Sequence, residues 1–262
     1  MRSTHFSACT HRRNQGFTLV EIMVAMVIGM LGIIIIMQMF ALFEGQKRTT
    51  TGGDDAQNAG IIALYGMQQN IQQAGYCFSA TAPTLTAVGT LRPAMIDVST
   101  LNNSSLRDAN TSTILVTFGN DACPPESASG VASAATLNVL AYAVKNGNLM
   151  QCDYLANDCA TAANWVQLAS DIVSMKAECS GQQGIRLVLV TRNPQLEKTV
   201  VTTSVPSWSG TSAIDLTGTN VDATATALAT QLSASAWQFY RYKTFETLIP
   251  IRNTLWTGAQ GC

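Results

Sequence analysis

Gly16-Phe17-Thr18-Leu19-Val20-Glu21 opens an apolar run that reaches Phe43, with no charged residue after Glu21. From Ile22 to Phe43 there are 22 consecutive uncharged residues, and only Gln38 among them is strongly polar. A bilayer crossing takes about 20 such residues, so 17–43 is expected to be one membrane-spanning helix, about 40 Å long at 1.5 Å per residue. A secretory signal has its small-residue cleavage site after the apolar segment; here the small residue, Gly16, comes before it. Arg12 and Arg13 stand just ahead of the run, and the positive-inside rule keeps them in the cytoplasm. The rest of the chain is then expected on the far side. Glu21 is an acid inside a membrane helix, which costs up to about 2.5–3.5 kcal/mol at the bilayer centre and less near an end. It is either a carboxylate that snorkels to the headgroups or a functional group.

Composition narrows the function classes. Of the 262 residues, 12% are charged, about half of the roughly 25% usual in soluble domains. Arg2, Arg12 and Arg13 lie in the first sixteen residues, which contain no acid; the remainder has 12 basic and 16 acidic residues, a net charge of -4. A mildly acidic body offers no electrostatic footprint for nucleic acid. Both histidines, His5 and His11, are in the basic segment, so the body lacks the commonest general base and metal ligand. It also has no Gly-rich phosphate loop and no GxSxG, and no cofactor is implied. Asp153 and Asp158 are too thin a carboxylate cluster for a calcium site, and no metal site is expected. Cys9 precedes the apolar run, and Cys77, Cys123, Cys152, Cys159, Cys179 and Cys262 follow it. An even set on one side of a membrane segment points to disulfides made in an oxidising compartment. Cys152 with Cys159 is the favoured local pair; Cys77 with Cys123, and Cys179 with Cys262, complete the preferred set.

The basic leader, Gly16-Phe17, Glu21 and the long apolar helix together resemble the N-terminal junction of type IV prepilins and type II secretion pseudopilins. The resemblance implies that a membrane prepilin peptidase cuts between Gly16 and Phe17 and methylates Phe17. It implies further that Glu21 pairs with the N-terminal amine of a neighbouring subunit when the helices bundle. The run from Trp237 to Asn253, closing with Pro250-Ile251-Arg252-Asn253, resembles the terminal strand of PilW-type minor pilins.

The expected fold is α+β: a long N-terminal helix, transmembrane in its first half, packed against an antiparallel β-sheet, type IV pilin-like, with disulfides and long loops. The expected organisation is a leader over 1–16, a transmembrane and filament-core helix over 17–43, an amphipathic continuation over 44–76 and a β-rich body over 77–262. Gly52-Gly53 is a weak point, and Asp54-Asp55 looks like a helix start, where acids complement the dipole. Beyond it Ala56, Gly60, Ala63, Leu64, Met67, Ile71 and Ala74 share one arc at helical spacing, a face that should meet a sheet. Ile61, Ile62 and Tyr65 project from the other side. Strands are predicted over Thr113 to Phe118, Leu137 to Val144, Leu149 to Cys152, Ile172 to Cys179, Ile185 to Arg192, Thr199 to Thr203 and Trp237 to Leu248, with Pro250 ending the last. Asn146-Gly147 signals a two-residue hairpin. Ser79 to Asn110, Pro124 to Ala135 and Ser204 to Ser235 read as long loops, the last with a short helix near Thr224 to Leu232.

The resemblance implies a minor pilin that primes or caps a type IV pilus, held as a single pass in the inner membrane with its leader cytoplasmic and its body periplasmic, then in the pilus at the cell surface. Its partners would be the prepilin peptidase, the major pilin and other minor pilins through the N-terminal helix, and a tip adhesin. Two other readings stay open: a pseudopilin of type II secretion, and an adhesive binding module at the tip. An enzyme is not expected.

Overall fold

The computed structural model describes residues 16–76, 84–85, 88–119, 137–181, 184–217, 221–253 and 262. One unit ends at Arg48 and a second runs from Thr49 to Cys262. Helix α1 (Leu19–Gln73) passes through the boundary. No helix therefore starts at Asp54-Asp55. Gly52 is in α1 for a packing reason: a Cβ there would fall 2.1–2.4 Å from the side-chain amide of Asn193.

Among the described residues ten strands follow: β1 (Thr84–Leu85), β2 (Gly89–Thr90), β3 (Ala94–Ile96), β4 (Ile114–Gly119), β5 (Leu137–Lys145), β6 (Asn148–Asp153), β7 (Val166–Ser170), β8 (Ile172–Cys179), β9 (Gly184–Arg192) and β10 (Tyr242–Pro250), with helix α2 (Ala223–Leu232) before the last. They form a β1-β2 ribbon, a five-stranded sheet ordered β3-β4-β5-β6-β7 and a three-stranded sheet ordered β10-β9-β8. Every pairing is antiparallel. The fold is α+β as expected, with two main sheets in place of one.

Period-2 alternation sorts the strands' apolar residues onto two faces. Ile114, Val116, Tyr142, Val144, Met175, Ile185, Leu187 and Leu189 join Ala63, Met67 and Ile71 of α1 in the main core. Leu115, Val139, Ala141 and Ala143 turn the other way and meet Leu91, Val98, Leu101 and Trp165. Of the predicted α1 face, Ala56, Gly60, Ala63, Met67, Ile71 and Ala74 are buried and Leu64 is half-buried. Ile61, Ile62 and Tyr65 are exposed. Gly60 allows β10 to approach the helix closely, since a Cβ there would lie 2.2 Å from the Phe245 ring. Deeper in, Asn70 donates to the hydroxyl of buried Tyr142 at 2.6 Å. Burial, partly offset by that bond, pushes the Tyr142 hydroxyl up to about 12. The end of α1 is tied down by Asn253, whose amide donates to the carbonyls of Gln73 at 3.2 Å and Ala74 at 3.4 Å. Gly75, at φ 80°, takes the left-handed turn that ends the helix.

The Asn146-Gly147 hairpin joins β5 to β6, with both residues at positive φ as a type I′ turn needs. Asp108 accepts from both backbone N–H groups, at 3.1 and 3.2 Å. Three expectations need correction. Thr199 to Thr203 is not a strand, because Val201 and Thr202 both donate to the Gln238 carbonyl. Ala236–Phe239 is a 3-10 turn that buries Trp237 and Phe239, so the last strand starts only at Tyr242. Ser79 to Asn110 is not all loop: it holds β1, β2, β3 and a 3-10 turn at Ser99–Leu101, with Leu91, Val98, Leu101 and Leu106 buried. Ser204 to Ser235 holds the short helix expected there, as α2, and its Ile214 and Leu216 cover the outer face of the three-stranded sheet by packing on Val173, Val188 and Val190. The Pro124 to Ala135 expectation lies outside the described residues.

Glu178 latches that cover. Its carboxylate accepts from the N–H and hydroxyl of Thr211 at 2.9 and 2.8 Å and from the N–H of Ser212 at 2.7 Å. Desolvation, the largest single contribution, would raise its pKa, but the hydrogen bonds from Thr211 and Ser212 together outweigh it and hold the carboxyl at about 2. A depressed folded-state value stabilises above the ordinary carboxyl pKa and fades as pH falls through the folded one. Trp208 fluorescence should therefore report release of the segment between about pH 4.5 and pH 2, and Glu178→Gln should remove that step; an identical titration in both proteins would rule the latch out.

Gly60→Ala offers a test with a reversed sign. In an open helix this change gains about 1 kcal/mol, but against Phe245 it should cost about 1–3 kcal/mol through overpacking. Gly66→Ala, whose Cβ would find Leu168 at an ordinary 3.7 Å, should not be destabilising. Urea midpoints of the detergent-solubilised chain distinguish the two, and equal gains would contradict the packing described.

Candidate functional site

Gly16 and Phe17 stand just ahead of the first turn of α1, which contains Glu21. Residues 16–18 are not helical. Thr18 begins the helix as its cap: its carbonyl accepts from the N–H groups of Glu21 at 3.1 Å and Ile22 at 3.2 Å, and its hydroxyl accepts from the Glu21 N–H at 3.3 Å. Thr18-Leu19-Val20-Glu21 is a T-x-x-E capping pattern, a signal present in the sequence but absent from the expectations above. It places Glu21 in the first turn, where a carboxylate is favoured by the helix dipole. The Gly16–Phe17 bond thus lies just outside the helix. Phe17 is 80% exposed, and nothing described lies within 4 Å of a Cβ built on Gly16.

From Phe17 to Phe43 the large apolar side chains are all solvent-facing, and α1 passes through Gln38 without a break. It is the one helix among the described residues long and apolar enough to cross a membrane. Gly29 and Gly32 leave open space on this surface. So large a continuous apolar surface must be covered by lipid or by other helices.

Elsewhere, chemistry-bearing residues are used in structure. Cys152 and Cys159 are disulfide-bonded, as are Cys179 and Cys262; Cys77 and Cys123 lie outside the described residues. Asp153 accepts from the N–H groups of Leu155 and Ala156, and Asp158 from Ala160, shaping the loop inside the first disulfide. A cleft near Thr50, Asp54, Asn193, Arg241 and Lys243 gathers two cations. Both are engaged, Arg241 with Glu197 at 3.0 Å and Lys243 with Gln57 at 2.9 Å. Among the described residues no three His, Cys, Asp or Glu side chains converge.

Residues 11–37 match the prokaryotic N-terminal methylation motif. The chain carries a prepilin-like N-terminus. The matched stretch contains Gly16, Phe17 and Glu21. In structure the chain is similar to a type IV-like pilin from Thermus thermophilus, at 9% identity and a TM-score of 0.41, covering 75% of this chain and 96% of that one. No curated protein matches it.

Proposed function

We propose that the chain is a minor pilin of the PilW type, which primes a type IV pilus or sits at or near its tip. The observation that carries this reading is the methylation motif over 11–37 at the head of a helix whose apolar side chains are bare from Phe17 to Phe43. A prepilin peptidase cuts after Gly16 and methylates Phe17. The leader lies in the cytoplasm and the body in the periplasm, where the two disulfides form. On assembly the same apolar surface leaves lipid for a bundle of pilin helices. Glu21 then exchanges headgroup water for the amine of a neighbouring subunit, a pairing that offsets its cost in an apolar surrounding. The protein is a substrate and a structural part, not an enzyme, with the major pilin and other minor pilins as partners.

Ile214 and Leu216 of the Ser204 to Ser235 segment are taken up in packing on the outer face of a sheet, so an adhesive role would fall to the exposed residues around them. A type II secretion pseudopilin would use the same N-terminal chemistry; loss of pili with normal protein secretion on deletion separates the machines.

Glu21→Ala should leave cleavage at Gly16 intact while lowering recovery of the chain in sheared surface filaments by tenfold or more. Full incorporation of that variant would contradict the role given to Glu21, and failure of the wild type to appear in filaments would contradict the pilus itself.

A further inference from the structure

Among the described residues the three-stranded sheet ends on β10, and none of them pairs with its outer edge. The phase of the ladder follows from two bonds at its mouth. Asn193 N–H donates to the Arg241 carbonyl, and Arg192 N–H donates to Asp171 on the opposite side. In an antiparallel pair inward and outward groups alternate, so Lys243, Phe245, Thr247 and Ile249 bond to β9 in the register Lys243↔Thr191 to Ile249↔Ile185. The N–H groups of Thr244, Glu246 and Leu248 then point away from the sheet. No hydrogen bond of the described residues uses them. Cover exists just upstream, where Val201 and Thr202 donate to the Gln238 carbonyl and the Thr202 hydroxyl to the Tyr240 carbonyl. It stops where β10 begins.

We propose that this edge takes an extended segment of a different protein chain, which adds a fourth strand to the sheet. β10 runs for nine residues in unbroken register with β9, a length that a partner strand can follow with main-chain bonds. Thr244, Glu246 and Leu248 are exposed, Leu248 at 57%. The carboxylate of Glu246 is already held by the N–H and hydroxyl of Ser209. The partner segment therefore needs no base opposite Glu246 and carries an apolar or β-branched residue beside Leu248. Pro250 has no N–H to offer and ends the pairing. A second copy of this chain fits poorly: the fullest self-pairing is centred on Glu246 and sets two carboxylates opposite one another, an unfavourable cross-strand pair.

The inference rests on the co-assembly proposed above, and amide hydrogen exchange on the full chain tests it in two states from cells that make it. One is the membrane- or filament-bound assembly, and the other the same chain separated in detergent. The amides of Thr244, Glu246 and Leu248 should exchange at least tenfold more slowly in the assembly. The double variant Thr244→Pro with Leu248→Pro removes two outward donors and no ladder bond. It should keep the wild-type urea midpoint and fall at least tenfold in recovery with the assembly. Equal exchange in the two states overturns the edge inference alone, whatever the variant does. A folded variant that assembles like wild type also overturns it. Slowed exchange in the purified chain by itself, with a dimer mass, replaces the different chain by a second copy and overturns the assignment. A chain found only as separate monomer overturns both this inference and the co-assembly beneath it.

Discussion

The Phe245 ring packed on bare Gly60 sets how closely the sheet can approach α1, and the body is arranged around that contact. Ala63, Met67, Ile71 and Ala74 continue the same face into the main core. β10 is held to α1 at three places: Lys243 on Gln57, Phe245 on Gly60, and, beyond the strand, Asn253 on the last carbonyls of the helix. The closing Pro250-Ile251-Arg252-Asn253 thus has a mechanical reason. Proline ends the strand and asparagine caps the helix, and the Cys179–Cys262 disulfide secures the chain beyond them.

α1 serves two different surroundings with one backbone. Up to Phe43 its large side chains are bare and apolar, which suits lipid or other helices. From Ala56 onward only one face is apolar and buried, which suits a sheet. Glu21 stands at the start of the first regime, within the turn that Thr18 caps. In the proposed assembly the carboxylate is acceptable at a membrane surface before the helices bundle and finds a cation after they do. The same exposed surface is thereby used twice, without refolding of the body.

Elements governed by local chemistry were legible in the sequence: the apolar run, the Asn146-Gly147 turn, the alternating β8 and β9, and the buried face beyond Asp55. Elements governed by distant partners were not. Gly52-Gly53 looked like a break because glycine weakens helices, whereas Gly52 makes room for Asn193, which lies far off in the chain. Trp237 to Phe239 alternates like a strand, but it curls because Gln238 reaches back to the Ser235 N–H at 2.7 Å and Trp237 is drawn under the cover of the sheet. Thr199 to Thr203 has strand residues, but its backbone N–H groups meet only the Gln238 carbonyl and form no ladder. β7 lies in a stretch too polar to announce itself and exists because β6 offers it an edge. At the N-terminus, Gly16, Phe17 and Glu21 were visible as a motif, while the capping role of Thr18 was present in the same six residues and passed over.

Leader removal, anchoring and the pairing proposed for Glu21 all turn on how the chain begins once it has reached the membrane. The direct measurement is the intact mass and N-terminal residue of the full chain extracted from membranes of cells that make it. The expected chain starts at Phe17 and carries one methyl group on its amine. A functional chain that retains Met1 would contradict it.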